Sequence, residues 1–342
     1  MVIRSLFVTG VCAVIACKSG PTGAGDDVFN DAPPLTGEMH ALSFGPVTVH
    51  SGQENTQCVN LRLSNTTAIK VHQMRNLLST GSHHLILYKN DMDSVETTTP
   101  FDCTPFAGAL NLSGMVAPVM ITQKQNDELT LPPGVAYTFD ANQMVRIEMH
   151  YINATDADIA VSATAEFYAV PDSEVENEAD ILFIGTPDIS IGAGATKNIA
   201  AYFTPSRANL DLSGAKFFAI TGHTHQFGTN VVVSTAPTNG GARTPIYTPA
   251  VFEWNEPETV VHQPEFTVPQ GGGFDVTCSY HNTSNQTVEF GESANDEMCF
   301  FWAYYYPSKG SHVCVHSNFM GFELDLCCPD AADLCQMLED RL

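Results

Sequence analysis

Positive charge is scarce in this chain: Lys and Arg total 14 against 38 Asp and Glu, a formal charge of −24. A surface of that sign has no basic patch with which to neutralise phosphates, which argues against nucleic acid as a partner. The acidic residues are spread rather than blocked, as on a soluble, mutually repelling surface. Long hydrophobic runs are missing too, and beyond the N-terminal segment none reaches the ~18 apolar residues of a membrane helix. No window of ten or more residues shows a helical stripe, the C-terminal AADLCQMLEDRL excepted. C-x-x-C pairs are absent, which weakens the case for a structural zinc site.

What remains is β texture. Runs such as ALSFGPVTVH, CVNLRLS, HHLILYK, MVRIEMHYI and IAVSATAEFYAV alternate apolar and polar residues between turn-forming Gly, Pro, Asn and Asp. The fold class expected is all-β, with two tandem antiparallel β-sandwich domains of the jelly-roll kind and a Cys-rich C-terminal extension. Residues 36–170 form the first domain, the acidic PDSEVENE stretch within 171–180 a linker, 181–308 the second domain, and 309–342 the extension. Residues 18–35, rich in Gly, Pro and Asp, read as a flexible tether.

The N-terminal MVIRSLFVTGVCAVIACKSG has an apolar run from Leu6 to Ile15, too short to span a bilayer comfortably and shaped like a secretory signal. Val14-Ile15-Ala16-Cys17 resembles a bacterial lipoprotein signal, in which Cys17 becomes the lipidated first residue. The expectation is an exported cell-envelope lipoprotein that meets the membrane only through that lipid; plain cleavage, giving a secreted soluble protein, is the alternative. Ten cysteines suit an oxidising compartment. Setting aside Cys12 and Cys17 leaves Cys58, Cys103, Cys278, Cys299, Cys314, Cys327, Cys328 and Cys335. Adjacent Cys327 and Cys328 are poorly placed to bond each other, so Cys314 pairs with one of them and Cys335 with the other.

Four segments carry candidate chemistry. In Thr221-Gly222-His223-Thr224-His225-Gln226-Phe227-Gly228, an extended backbone puts both imidazoles on one face, where they can share a metal. Ser82-His83-His84 opens an apolar strand, and one ion binds both rings only if the backbone bends or the rings use different nitrogens. In Arg146-Ile147-Glu148-Met149-His150, alternation sets Glu148 and His150 on one face. In Asp296-Glu297-Met298-Cys299, Met298 alone reads as packing.

Together, in this order and at these separations, HH, H-Y-x-N, H-x-H and D-E-M-C resemble the copper type II, ascorbate-dependent monooxygenases over roughly residues 36–307. The resemblance implies that His83, His84 and His150 hold one copper and His223, His225 and Met298 a second, each domain bringing its ion to a solvent-filled cleft between them. It also implies disulfides Cys58–Cys103 and Cys278–Cys299. The activity implied is hydroxylation of an activated C–H bond of a small molecule with O2 and ascorbate or another one-electron donor, by a monomer. His223, His225 and Met298 are then the catalytic set, because a soft thioether favours copper(I), the form that must meet oxygen. Glu148 is a candidate acceptor steering His150.

Thr221, Phe300 and Trp302 stand where the peptide-amidating branch keeps its substrate arginine, asparagine and tyrosine, so a C-terminal glycine peptide is not the expected substrate. Phe300 and Trp302 suggest an aromatic or apolar one. A copper-binding or interaction lipoprotein that has lost turnover is the competing reading. His312, Cys314 and His316 alternate as HVCVH, read as a disulfide between two exposed histidines rather than a third metal site. His72 reads as structural or as steering a ligand, and His281 as solvated.

Overall fold

The computed structural model describes residues 35, 37–103, 115–291, 293–319, 321–329 and 335. The expected signal, Cys17 anchor and tether lie outside these residues, apart from Leu35. Residues 36–342 form one compact unit.

The first half builds two sheets. One runs Thr97–Asp102, Glu54–Arg62, Met144–Ile152, Ser82–Asn90, Val116–Thr122; the other runs Glu38–Val49, Ile159–Val170, Ile69–Leu78, Val135–Phe139, Asn177–Glu178, with Asn126–Thr130 also on Ile69–Leu78. Their inward residues, among them Val59, Leu85, Ile147, Met74 and Phe167, fill one core. The second half builds a six-stranded sheet in the order Thr259–Phe266, Lys216–His223, Cys299–Tyr306, Asp180–Thr186, His312–Phe319, Phe322–Cys328, and a four-stranded sheet in the order Thr196–Phe203, Gly273–His281, Gly228–Ala236, Thr244–Tyr247. The Cys-rich segment is no appendage, for it supplies two strands of that six-stranded sheet.

Cys299–Tyr306 is buried along its whole length. Alternation explains how: Cys299, Phe301, Ala303 and Tyr305 enter the core of the second half, while Phe300, Trp302, Tyr304 and Tyr306 enter the core of the first. The six-stranded sheet therefore faces apolar groups on both sides, and the two halves dock through it. The backbone N–H of Ile121 donates to the Tyr304 hydroxyl across this junction at 3.1 Å.

Each half repeats one local device after a central strand. In Tyr151-Ile152-Asn153-Ala154-Thr155 the Asn153 Oδ1 accepts from the Thr155 N–H and hydroxyl, and its Nδ2 donates to the carbonyls of Val49 and Ala157. Tyr280-His281-Asn282-Thr283-Ser284 does the same with Ser284, Ile191 and Gln286. These Asn-x-Ser/Thr triplets are turn locks whose asparagines are fully buried.

Cys58–Cys103 and Cys278–Cys299 form as the resemblance implies. Of the two pairings open for the tail, the structure adopts Cys314–Cys327, directly opposite in neighbouring strands, and Cys328–Cys335. No helix among the described residues is long and apolar enough to cross a membrane.

Candidate metal centre

His84 and His150 are cross-strand partners in the five-stranded sheet. The register slips by one residue between Ser82 and His84, so the bulge at His83 provides the bend that a tandem histidine needs to serve one ion. The three side chains offer nitrogens within 4.8 Å of one another. Nδ1 of His83 and Nδ1 of His84 are 3.3 Å apart, the spacing of two donors each about 2 Å from one tetrahedral ion. His150 Nε2 donates to Glu54 Oε1 at 2.9 Å, leaving the Nδ1 lone pair for a ligand. Glu54, not Glu148, is the carboxylate this bond brings to His150, and the bond holds its carboxyl below the ordinary range. Glu148 is buried and accepts from the Tyr88 hydroxyl at 2.8 Å.

The H-x-H segment is built differently from the extended strand its spacing suggests. The strand Lys216–His223 ends at the first histidine, and His225 lies in the turn beyond it. The rings still meet, with centroids 5.2 Å apart and planes at 86°. Glu297, fully buried, holds the turn: its carboxylate accepts from the N–H of His225 at 2.9 Å and of Phe227 at 2.7 Å. Burial pushes Glu297 up to about 7 against the pull of these donors. The flanking glycines leave room for close approach. A Cβ on Gly222 would lie 2.6 Å from Val231, and one on Gly228 would collide with Thr224.

His223 pairs with Phe300, so continuing that register sets Met298 level with His225 at the head of the neighbouring strand. Met298 is buried, its carbonyl accepts from the Tyr280 hydroxyl at 2.6 Å, and the Cys278–Cys299 bridge anchors the next residue. His225 Nδ1 donates to the Asp296 carbonyl at 3.2 Å and His223 Nδ1 to Gln123 Oε1 at 3.0 Å. Both bonds leave the lone pair on Nε2.

Among the described residues these histidines do not line an open cleft: His84, His150, His223 and His225 are all 6% exposed or less. Burial drives His83 down to about 3, His225 down to about 4, and His84 and His223 well below the ordinary value, with further lowering from histidines of the opposite group. The two groups thus lie within electrostatic reach of each other, because docking the apolar face of the six-stranded sheet brings both toward one junction. All four are held neutral, the state in which imidazole ligates a metal.

Thr221, Phe300 and Trp302 are packed rather than open to a ligand. Thr221 Oγ1 bonds Thr259 Oγ1 at 2.8 Å, and Phe183 stacks on Phe300 at 5.0 Å and on Trp302 at 5.9 Å. Each of the chain's two tryptophans lies beside one histidine group: Trp254 5.4 Å from the His83 ring and Trp302 5.9 Å from that of His223. His312 and His316 are buried, contrary to expectation, and bond Gly310 O and Asp325 Oδ1. His72 bonds the Val135 carbonyl, and His281 is exposed.

A profile of the copper type II ascorbate-dependent monooxygenase, C-terminal domain, matches residues 177–322. Residues 177–322 are therefore similar to the C-terminal domain of that family. The matched segment includes His223, His225 and Met298. No curated protein matches the chain. Among solved structures it is similar to the major capsid protein P2 from Bacteriophage PM2, at 9% identity over 80% of this chain and 100% of that one, with a TM-score of 0.35. It is also similar to infectious bursal disease virus Gt strain, at 9% identity over 84% and 77%, with a TM-score of 0.16. Neither likeness bears on the site.

The donor set fits copper of this monooxygenase class. Three imidazoles suit either oxidation state, and a buried thioether beside two more suits copper(I). Glu54, Gln123, Glu297 and Trp254 escaped the sequence reading. Glu297 had a signal, standing next to Met298, but the others come from segments that no spacing links to the histidines.

Proposed function

We propose that the protein is a copper-dependent monooxygenase that hydroxylates an activated C–H bond of a small aromatic or apolar substrate, using O2 and an ascorbate-type one-electron donor. His83, His84 and His150 hold one copper, and His223, His225 and Met298 a second. Residues 36–170 and 181–308 are the two copper domains, with 171–180 between them, in an exported monomer anchored through lipidated Cys17. The observation that carries this reading is the convergence of the two histidine groups at one buried junction, one of them inside the family-matched segment.

Copper, when bound, supplies the oxygen activation and the one-electron chemistry. The protein's part is ligation, orientation and exclusion of water. Glu54, Gln123 and the Asp296 carbonyl each take the N–H of one imidazole and thereby choose the nitrogen it presents. Glu297 fixes the turn that carries His225. Thr221, Phe300 and Trp302, packed near His223, bring no charge to that site, which supports an uncharged substrate only through the apolar surroundings they create. Depth of burial supports a second reading, a copper-binding protein without turnover, since all but one of the five histidines are closed to solvent.

Oxygen uptake separates the two. The mature chain is loaded with copper and given ascorbate with a panel of phenethylamines, other small molecules and a glycine-extended peptide. Substrate-dependent uptake with the small aromatic compounds supports the enzyme, two coppers without uptake the binding protein, and turnover of the peptide at a comparable rate overturns the substrate class.

A further inference from the structure

The ring of His223 is oriented by a residue from the other half of the molecule. Gln123 directly follows the strand Val116–Thr122 at the edge of the five-stranded sheet, and His223 ends a strand of the six-stranded sheet. Gln123 is 5% exposed, and its Oε1 lies 3.0 Å from His223 Nδ1. An amide oxygen only accepts, so Nδ1 carries the proton and Nε2 the lone pair. By contrast, the bonds that orient His150 and His225 come from their own halves, through Glu54 and the Asp296 carbonyl.

The Nε2 of Gln123 is buried with no hydrogen-bond partner among the described residues. A side chain kept only for stability would leave no buried donor unmade, because apolar residues of the same shape fill such a place without that cost. The retained amide has its one satisfied end on a histidine.

We propose that Gln123 is a positioning residue for His223: docking of the first half selects the imidazole tautomer with which the second half binds its metal. The proposal rests on His223 as a copper ligand. It means that the second site is incomplete when the halves separate, although no atom of Gln123 touches the metal.

The test uses the full mature chain with Gln123→Leu, which removes the acceptor, and Gln123→Glu, which keeps it. In the metal-free protein, nitrogen NMR of the imidazoles should show His223 protonated at Nδ1 in the native chain and in Gln123→Glu, and a mixture of tautomers in Gln123→Leu. With copper, chelator competition should show the second ion bound about 10- to 100-fold more weakly in Gln123→Leu and nearly restored in Gln123→Glu, with the three-histidine ion unchanged throughout. The Gln123→Glu copper should also have a lower reduction potential, because a carboxylate acceptor makes the imidazole a stronger donor. A Gln123→Leu protein with the native tautomer and native second-site affinity overturns the proposal. A native chain with the Nδ1–H tautomer but no second copper overturns instead the ligand assignment on which it rests.

Discussion

The two histidine groups are made by opposite means. In the first, His84 and His150 face each other across neighbouring strands and a one-residue bulge swings His83 in beside them, so ladder hydrogen bonds set the geometry. In the second, the strand stops at His223, and a turn held by buried Glu297 brings His225 round to meet residues ahead of Cys299. The halves repeat the same Tyr-x-Asn turn lock, yet His150 sits on the strand before that lock, whereas the corresponding strand Gly273–His281 carries none of the proposed ligands. The second half takes its ligands from the opposite sheet. A ligand set on adjacent strands is rigid by register; one on a turn and a strand head is rigid only while its clamp is intact.

The sharpest way to break this comparison is at Met298. In Met298→Ala, oxygen uptake should fall to background while one copper per chain remains on the three histidines, as metal analysis and EPR will show. Loss of both ions together would mean that Met298 supports the docked junction rather than one site.

The clamps should differ next. Glu297→Ala leaves two buried N–H groups without their acceptor, at about 1–3 kcal/mol each, so thermal unfolding should show a loss of about 2–6 kcal/mol. Glu54 is partly exposed, and Glu54→Gln should cost under about 1 kcal/mol while weakening the three-histidine copper by about 10- to 100-fold. Equal stability losses in the two variants would erase the distinction.

Acid should act on both groups through their depressed histidines. In the metal-free protein these stay neutral when folded, while the unfolded chain takes up protons below about 6.5, so their stabilising contribution is full above that pH and is lost as pH falls toward 4 and 3. Glu297, raised to about 7, and Asp127 and Asp180, each raised to about 6, work in the other direction over the upper part of this range, but the four histidines outnumber these three carboxyls. Denaturant midpoints measured from pH 7 to pH 4 should therefore decline, and a flat profile would contradict the burial of the histidines.

The smallest effect separates the two tryptophans. Trp254→Phe should leave stability nearly unchanged and remove the fluorescence quenched on filling the three-histidine site. Signal from buried Trp302 should still respond to the other site.

Much of this was legible in the sequence because strand alternation and motif order are local or additive signals. The all-β class follows from alternation, while the first two disulfides and the grouping of His83, His84 and His150 were implied by the family resemblance of the ordered motifs. Three features were not legible. The His83 bulge depends on register against Met144–Ile152, which His-His by itself does not encode. The closed junction depends on apolar residues Phe300, Trp302 and Tyr304, which alternation reads equally well as a substrate surface or as a docking face. Glu54 and Gln123 act through folding alone, and nothing at their positions distinguishes them from other polar strand-end residues.

The most direct test of the central claim, two coppers held close together across one junction, is continuous-wave EPR of the mature chain titrated with copper(II). Binding should saturate at two ions, with dipolar broadening that appears only as the second fills and vanishes in Met298→Ala. Saturation at fewer than two ions, or two narrow spectra that simply add, would contradict it.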